Sequence, residues 1–176
     1  NAGQREAGLA LVSSALSASG FETARNVMRL NEHALELSGL ADEYGEWYYW
    51  LSVFGTPSRT DPWGWQLDGH HLIINCFLYG DQMVLTPTFM GSEPVQAHSG
   101  KYAGTRVFGA EESMGLSVMR ALTPAQQAQA IIGNKLPGEL LTAAFRDNER
   151  MPYEGIRYSD LSCHQQASLV DLIGVY

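Results

Sequence analysis

Apolar residues recur at helical spacing over the first 40 residues of the chain. One stripe extends from Leu9 to Leu16 and a second from Phe21 to Leu35, with Gly20 between them. Positions three and four residues apart lie on one face of an α-helix, so each stripe indicates an amphipathic helix. Gly39 is placed to end the second helix, because glycine readily adopts the left-handed conformation that follows a helix. The pattern predicts a helical segment over residues 1–40.

The pattern changes after Tyr44 to one that is typical of β-strands. The run from Trp47 to Phe54 is rich in aromatic and β-branched residues, which favour strands. A longer strand candidate extends from Trp63 to Tyr79, a Gly-Asp turn signal follows it, and Gln82 to Phe89 is the candidate for the returning strand. The sequence therefore predicts a strand-rich region over residues 44–95, with one long strand from Trp63 to Tyr79.

Helical spacing returns over residues 110–176, and two segments there share a local pattern. In each, a leucine is followed by a hydroxyl residue and, three places later, by a glutamine. The two sets are Leu122, Thr123 and Gln126, and Leu161, Ser162 and Gln165. A hydroxyl residue with Gln three places later is a capping box, which begins a helix. Because helices and strands occupy separate stretches, we predict an α+β fold with a central antiparallel strand cluster.

The end of the chain predicts a partner segment. Apolar residues at helical spacing run from Tyr158 to Tyr176, and no glycine, asparagine or polar tail follows them. The first residue is Asn1 rather than methionine. We therefore expect the 176 residues to be a single domain or the N-terminal part of a longer one. The remainder of the same polypeptide, or a partner chain, would cover the terminal helix.

Composition narrows the classes of function. Hydrophobic residues make up 45% and charged residues 17% of the chain, as in globular proteins, and the net charge is −8. An acidic chain is a poor candidate for nucleic-acid binding, which needs a basic surface. No apolar stretch is long enough to predict a membrane span. The two cysteines, Cys76 and Cys163, are each expected to be buried as small hydrophobic residues, and the compartment stays undecided.

The adjacent histidines His70 and His71 are the most informative candidates for chemistry. Imidazole is a common ligand for zinc and related metals, and it titrates near neutral pH. Successive side chains of a regular strand point to opposite faces, so both rings could reach one metal ion only if Gly69 formed a β-bulge. Otherwise one histidine would serve a site and the other would be a hydrogen-bonded core residue. A structural role for both is the competing interpretation.

Other side chains are candidates for supporting roles. Asp68 and Glu93 are candidate catalytic carboxylates, although a solvated role is the simpler interpretation of Glu93. Trp63 and Trp65 could wall a substrate pocket, and Arg106 could hold a substrate carboxylate. His33 and His164 stand alone in helical segments, where surface or capping roles are expected. Neither an HExxH nor a CxxC motif is present, and the chain lacks a complete set of metal ligands.

The spacing of several motifs resembles that of a bacterial and fungal family known as domain of unknown function 3500. The motifs are Trp63-Gly64-Trp65, Gly69-His70-His71 and the run from Thr86 to Pro94, preceded by Phe54 to Ser58 and followed by Leu122 to Gln126. The resemblance covers residues 44–176. It implies a longer protein with further histidines in its C-terminal half, which this chain does not contain. It implies no activity, because the family has none assigned.

Three hypotheses of function follow. The first is a metal-dependent enzyme, most plausibly hydrolytic, in which His70 and His71 bind zinc; copper or iron bound by the same imidazoles would instead suit an oxidoreductase. The second is a non-catalytic module that binds a small ligand in the aromatic cluster. The third is a structural domain with both histidines in the core. Catalytic residues beyond Asp68 and Glu93 are not indicated by the sequence.

Overall fold

α-Helices and one antiparallel sheet follow one another along the chain, as a computed structural model of residues 1–138, 141, 146 and 148–175 shows. The α+β prediction is confirmed, with helices first, strands next and helices again. The chain divides into two units, residues 1–108 and the segment from residue 109 onward. The bounds of the first unit are α1 Ala2–Ala15, α2 Ala18–Ser38, β1 Tyr49–Phe54, β2 Trp63–Gly69, β3 Leu72–Tyr79, β4 Gln82–Val84 and β5 Thr88–Met90.

The N-terminal helices lie where the apolar stripes predict them, but the break between them differs. α1 ends at Ala15, and Ser17 caps α2 by accepting a hydrogen bond from the backbone of Gly20. Gly20, which the sequence suggested as the break, lies within the first turn of α2. The serine decides the boundary, because its hydroxyl satisfies a backbone donor that the helix leaves unpaired. Gly39 ends α2 with φ of 72°, as predicted.

The sheet is antiparallel, with β2 and β3 at its centre. β1 pairs with β2, and β2 pairs with β3. The other edge of β3 is shared by two short strands, β5 at its beginning and β4 at its end. The predicted long strand from Trp63 to Tyr79 is therefore wrong at one place: the chain reverses between Gly69 and Leu72, which face each other in the register. His70 and His71 form the two-residue turn of a β-hairpin.

This reversal changes which side chains share a face of the sheet. In a continuous strand Leu67 and Ile74 would point to opposite sides, but as cross-strand partners they point to the same side. That side packs on α1 and α2 and forms the core of the first unit. The buried residues of this core, from the sheet and the helices, include Trp65, Leu67, Leu72, Ile74, Cys76, Val12, Val27 and Leu30.

The second unit contains α3 Gly109–Ala121, α4 Pro124–Ala130, a 3₁₀ turn at Tyr158–Asp160, and α5 Cys163–Ile173. Both predicted capping boxes are present, at Thr123 and at Ser162. Between residues 131 and 157, the described positions include no helix, so that part of the helical prediction is not met. Tyr176, the last residue of the predicted apolar stripe, lies outside the described residues.

The two capping boxes also contact each other. The Gln165 amide donates to Oε1 of Gln126 at 2.9 Å, and the Gln126 amide lies 3.1 Å from Oε1 of Gln165. Gln165 further donates to the carbonyl of Ala121 at 2.7 Å and is 8% exposed. Leu122 and Leu161, one residue before each cap, are buried. The starts of α4 and α5 are therefore joined by one amide pair, in which Gln165 is buried and Gln126 is partly buried.

Two side-chain predictions are wrong. Cys163 is exposed on α5, whereas Cys76 is buried as predicted, and neither forms a disulfide. His33 is not a surface residue: its side chain is 3% exposed, and Nδ1 lies 3.0 Å from Oε2 of Glu36. His164 is exposed, in agreement with its prediction. A helical histidine can be buried when a carboxylate one turn away satisfies its ring nitrogen, which the isolated residue in the sequence does not reveal.

Candidate functional site

The His70–His71 turn is held at its backbone from both sides of the hairpin. The hydroxyl of Tyr49, on β1, donates to the carbonyl of His70 at 3.0 Å. The amide of Gly91, just after β5, donates to the carbonyl of His71 at 2.8 Å. His71 has φ of 57°, a left-handed conformation that few residues other than glycine adopt. These two bonds fix the turn in a conformation that its own sequence does not favour.

Gly69 places Tyr49 against the turn rather than forming a bulge. The two residues are cross-strand partners in a regular register, so the β-bulge that the sequence left open at Gly69 is not formed. A Cβ atom at Gly69 would lie only 2.0 Å from Cδ1 of Tyr49. The tyrosine ring thus lies directly over the glycine, and its hydroxyl reaches the His70 carbonyl. The glycine before the histidines serves the packing of this ring.

Asn31 orients the ring of His70. Its side chain is almost fully buried on α2, and its amide nitrogen donates to the carbonyl of Gly45 at 2.9 Å. Oδ1 of Asn31 therefore faces His70, 2.9 Å from Nδ1. Because an amide oxygen only accepts, Nδ1 of His70 must carry the hydrogen. In the neutral ring the lone pair then lies on Nε2.

His71 lies beside His70, with the ring centroids 4.1 Å apart and the planes at 61°. Nε2 of His71 is 3.9 Å from Oε2 of Glu93, whose side chain is 87% exposed. Aromatic rings flank the pair, since Tyr44 meets His70 edge-on at 5.0 Å and Phe89 lies 6.3 Å from His71. Both histidines are partly exposed. The turn therefore presents two imidazoles, with a carboxylate nearby, between two aromatic side chains.

The surroundings of His70 favour its neutral form. Burial lowers the pKa of His70 below its usual value of 6.5, and the neighbouring His71 lowers it further. The carboxylates of Glu93 and Glu43 act in the opposite direction but do not cancel these effects. Loss of water around a charged imidazolium penalises protonation more than these distant carboxylates favour it. At neutral pH His70 is consequently a donor at Nδ1 and an acceptor at Nε2.

A buried ion-pair cluster holds the segment that carries Tyr44. Glu46 is 4% exposed and bonds to Arg25 at 2.9 Å, to Lys101 at 3.0 Å and to the hydroxyl of Tyr102. Burial would raise the pKa of Glu46, but the hydrogen bonds from Tyr102, Lys101 and Arg25 together lower it. The carboxylate is therefore charged and fully paired, as buried charges must be. This cluster is structural and fixes the chain next to the His70 ring.

The structure separates most of the predicted site residues from the histidine pair. Asp68 accepts a hydrogen bond from the side chain of Gln66 at 3.2 Å. The side chain of Trp65 is 2% exposed and belongs to the core. Trp63 is partly buried at the far end of β2, with its indole N–H on the carbonyl of Ser58. Arg106 is exposed and is paired in the backbone with Gln96. Of the predicted residues, Glu93 is within ion-pair distance of the histidines, 3.9 Å from Nε2 of His71.

Several residues around the turn were not found by sequence reasoning. Tyr44, Tyr49 and Phe89 are aromatic, and aromatic residues in a sequence usually indicate core or strand positions. Asn31 gave a usable signal, because it is a polar residue within the apolar stripe of α2 and must have a partner there. That partner, His70, is 39 residues away along the chain.

The described residues do not include a cluster of three or more His, Cys, Asp or Glu side chains arranged to hold a metal ion. The turn provides the imidazoles of His70 and His71, with the carboxylate of Glu93 farther away. Nor do the described residues form a helix that is long and apolar enough to cross a membrane.

Comparison with known proteins identifies a family but no activity. A family model described as protein of unknown function (DUF3500) matches residues 1–176, which is more of the chain than the motifs at residues 44–176 indicated. No curated protein and no solved structure matches the chain.

Proposed function

Because the chain belongs to the DUF3500 family, a family of unknown function, we propose its function from the geometry of the His70–His71 turn. The proposal is a metal-dependent hydrolase in which the two imidazoles bind a divalent ion, zinc first. One observation carries it: Asn31 holds the hydrogen of His70 on Nδ1, which leaves the Nε2 lone pair available. A ligand histidine commonly donates its other ring nitrogen to an oxygen in this way.

The position of the pair supports a binding role over a structural one. Core histidines would have both ring nitrogens buried and paired, but both of these rings are partly exposed. Glu93 extends from a mostly solvent-exposed position 3.9 Å from His71, so rotation of its side chain can bring a carboxylate to the imidazoles. Two imidazoles and a carboxylate form a ligand set found in hydrolytic zinc sites. Tyr44 and Phe89 replace the tryptophans as candidate walls for a substrate.

Each residue has a distinct part in the proposed reaction. A bound divalent ion would supply Lewis acidity and bring the pKa of water toward ~7. Asn31 keeps the His70 ring in one tautomer and one orientation. When the exposed carboxylate of Glu93 is not turned toward the imidazoles, it would accept the proton that this water gives up. The backbone of His71 is fixed by the hydrogen bond that the Gly91 amide donates to its carbonyl, at 2.8 Å.

Metal analysis of the loaded protein tests this proposal. After incubation with zinc and removal of free metal, we expect about one zinc ion per chain by mass spectrometry. His70→Ala should abolish retention, because it removes the imidazole that Asn31 orients, and His71→Ala should weaken retention, because it removes the second imidazole. His164→Ala is the matched control, since it removes an exposed imidazole on α5. A wild-type chain that retains no metal, or a His70→Ala chain that retains as much, would refute the metal site.

The identity of the metal and a hydrolysis assay separate the remaining alternatives. A panel of chromogenic ester, amide and phosphate substrates should be cleaved by the zinc-loaded chain and not by its His70→Ala variant. If the protein as purified instead holds copper or iron, the same imidazoles support an oxidoreductase, and hydrolysis should be absent.

A further inference from the structure

A cavity of about 610 Å³ lies between α1 and β1, with further walls from α2 and β2. Its size is within the range of pockets that bind small molecules. Its walls are mainly apolar and include Leu11, Val12, Met28, Leu51 and Leu67. The cavity belongs entirely to the first unit, and its residues are distinct from the histidines.

Small residues of α1 leave this space open. Ala7 and Gly8 face the cavity, and a Cβ atom at Gly8 would lie 3.3 Å from a methyl group of Leu51. Glycine inside a helix costs roughly 0.5–1 kcal/mol relative to alanine, so its use here has a stability cost. A larger side chain at this position would extend into the cavity or displace Leu51.

Arg5 places an uncompensated positive charge at the same cavity. Its guanidinium lies 4.5 Å from the ring centroid of Trp47, which also lines the cavity. Arg25 lies 4.8 Å from that ring, but it is neutralised by Glu46 at 2.9 Å. The ion pairs among the described residues include Arg25 and not Arg5. Stacking on an indole holds a guanidinium in place without using its hydrogen-bond donors.

We propose that this cavity binds a small monocarboxylate with an apolar body. The carboxylate would pair with Arg5, whose planar donors match the two oxygens of a carboxylate. The apolar body would lie against Leu11, Val12, Met28 and Leu51. Tyr49 is shared with the histidine turn, because it lines the cavity and its hydroxyl bonds to His70. The proposal does not depend on metal binding by the histidines.

Titration of tryptophan fluorescence with matched ligands tests the proposal, because Trp47 and Trp50 both line the cavity. Decanoate and decan-1-ol have the same apolar body and differ in charge. The 176-residue chain should bind decanoate about tenfold more tightly than the alcohol, the effect expected for one charge-assisted hydrogen-bonded pair. Equal affinities, or no binding of decanoate, would overturn the proposal without any variant.

Two variants locate the binding site. Arg5→Gln should reduce the affinity for decanoate to the affinity for decan-1-ol. Arg157→Gln removes an exposed arginine of the second unit and should leave the affinity for decanoate unchanged. Gly8→Leu should weaken both ligands because it fills the cavity. Decanoate binding that is unchanged in both Arg5→Gln and Gly8→Leu would place the ligand elsewhere and overturn the assignment. Zinc retention should be the same in all of these variants, which separates this test from that of the metal site.

Discussion

The His70–His71 turn and the paired capping boxes are both short motifs, but they differ in how far away their determinants lie. Each capping box is completed within four residues, from Thr123 to Gln126 and from Ser162 to Gln165. The turn depends on Asn31 and Tyr49, which are 39 and 21 residues from His70. The structure of the capping boxes can be predicted from the sequence. The histidine pair can be recognised in the sequence as unusual, but the structure of its turn cannot be predicted there.

The comparison also separates two uses of buried polar groups. In the second unit, Gln126 and Gln165 satisfy each other and the adjacent backbone, which leaves their amides fully used. At the turn, Asn31 satisfies only one nitrogen of His70, and the other stays available. A closed hydrogen-bond network stabilises a fold, whereas an open one leaves a group that can bind.

The largest loss of stability is expected for a substitution at Gly69. Gly69→Ala would place a Cβ atom 2.0 Å from the ring of Tyr49 and should displace the ring from the His70 carbonyl. We expect a loss of about 2–3 kcal/mol in the free energy of unfolding, measured by urea denaturation. Gly3→Ala is the control, because its nearest contact is an ordinary 3.6 Å and the residue lies in α1. A Gly69→Ala chain as stable as this control would contradict the role given to Tyr49.

A smaller loss in the free energy of unfolding is expected for Gln165→Ala, in the second unit. The substitution removes the bonds to Ala121, Gln126 and the cap of α5, so the carbonyl of Ala121 and the amide of Ser162 lose these partners. We expect a destabilisation of about 2 kcal/mol. Gln166→Ala removes one exposed bond to Tyr158 from the same helix and should cost under about 1 kcal/mol. Equal losses of stability for the two variants would show that the Gln126–Gln165 amide pair contributes nothing beyond local capping.

The smallest effect is the pH dependence that His70 contributes. Its pKa is lower in the folded chain than the usual 6.5, so the unfolded chain binds more protons in the interval between the two values. Stability from this residue is therefore present above pH 6.5 and is lost as the pH falls toward the folded pKa. Urea midpoints measured above and below pH 6.5 should differ less in His70→Gln than in wild type. An unchanged difference would mean that burial does not perturb this ring.

Much of the fold follows from local patterns, and little of the site does. The helices of the first unit, the glycine that ends α2, the capping boxes and the α+β class are set by spacing and cap chemistry. The hairpin at His70 and His71 was missed because histidine is not a typical turn residue. The turn is imposed by the pairing of β2 with β3 and by bonds from Tyr49 and Gly91. No local pattern contains that information.

The site residues divide in the same way. His70 and His71 were identified because adjacent histidines are unusual in an apolar stretch, and Glu93 was identified by its chemistry. Trp63 and Trp65 were chosen for proximity in sequence, but in a strand they lie along β2, at about 3.3 Å per residue from the turn. Asn31 and Tyr44 approach the turn through the packing of α2 and its following loop, which requires the three-dimensional fold.

The tautomer of His70 tests the central claim most directly. Long-range ¹H–¹⁵N NMR of the imidazole distinguishes protonation at Nδ1 from protonation at Nε2. At neutral pH the account predicts hydrogen on Nδ1, a free Nε2, and a shift of the Nε2 signal when zinc is added. Asn31→Leu should lose this preference, because the amide acceptor is removed. A wild-type ring protonated at Nε2, or an Nε2 signal that zinc does not move, would contradict the proposed role of His70.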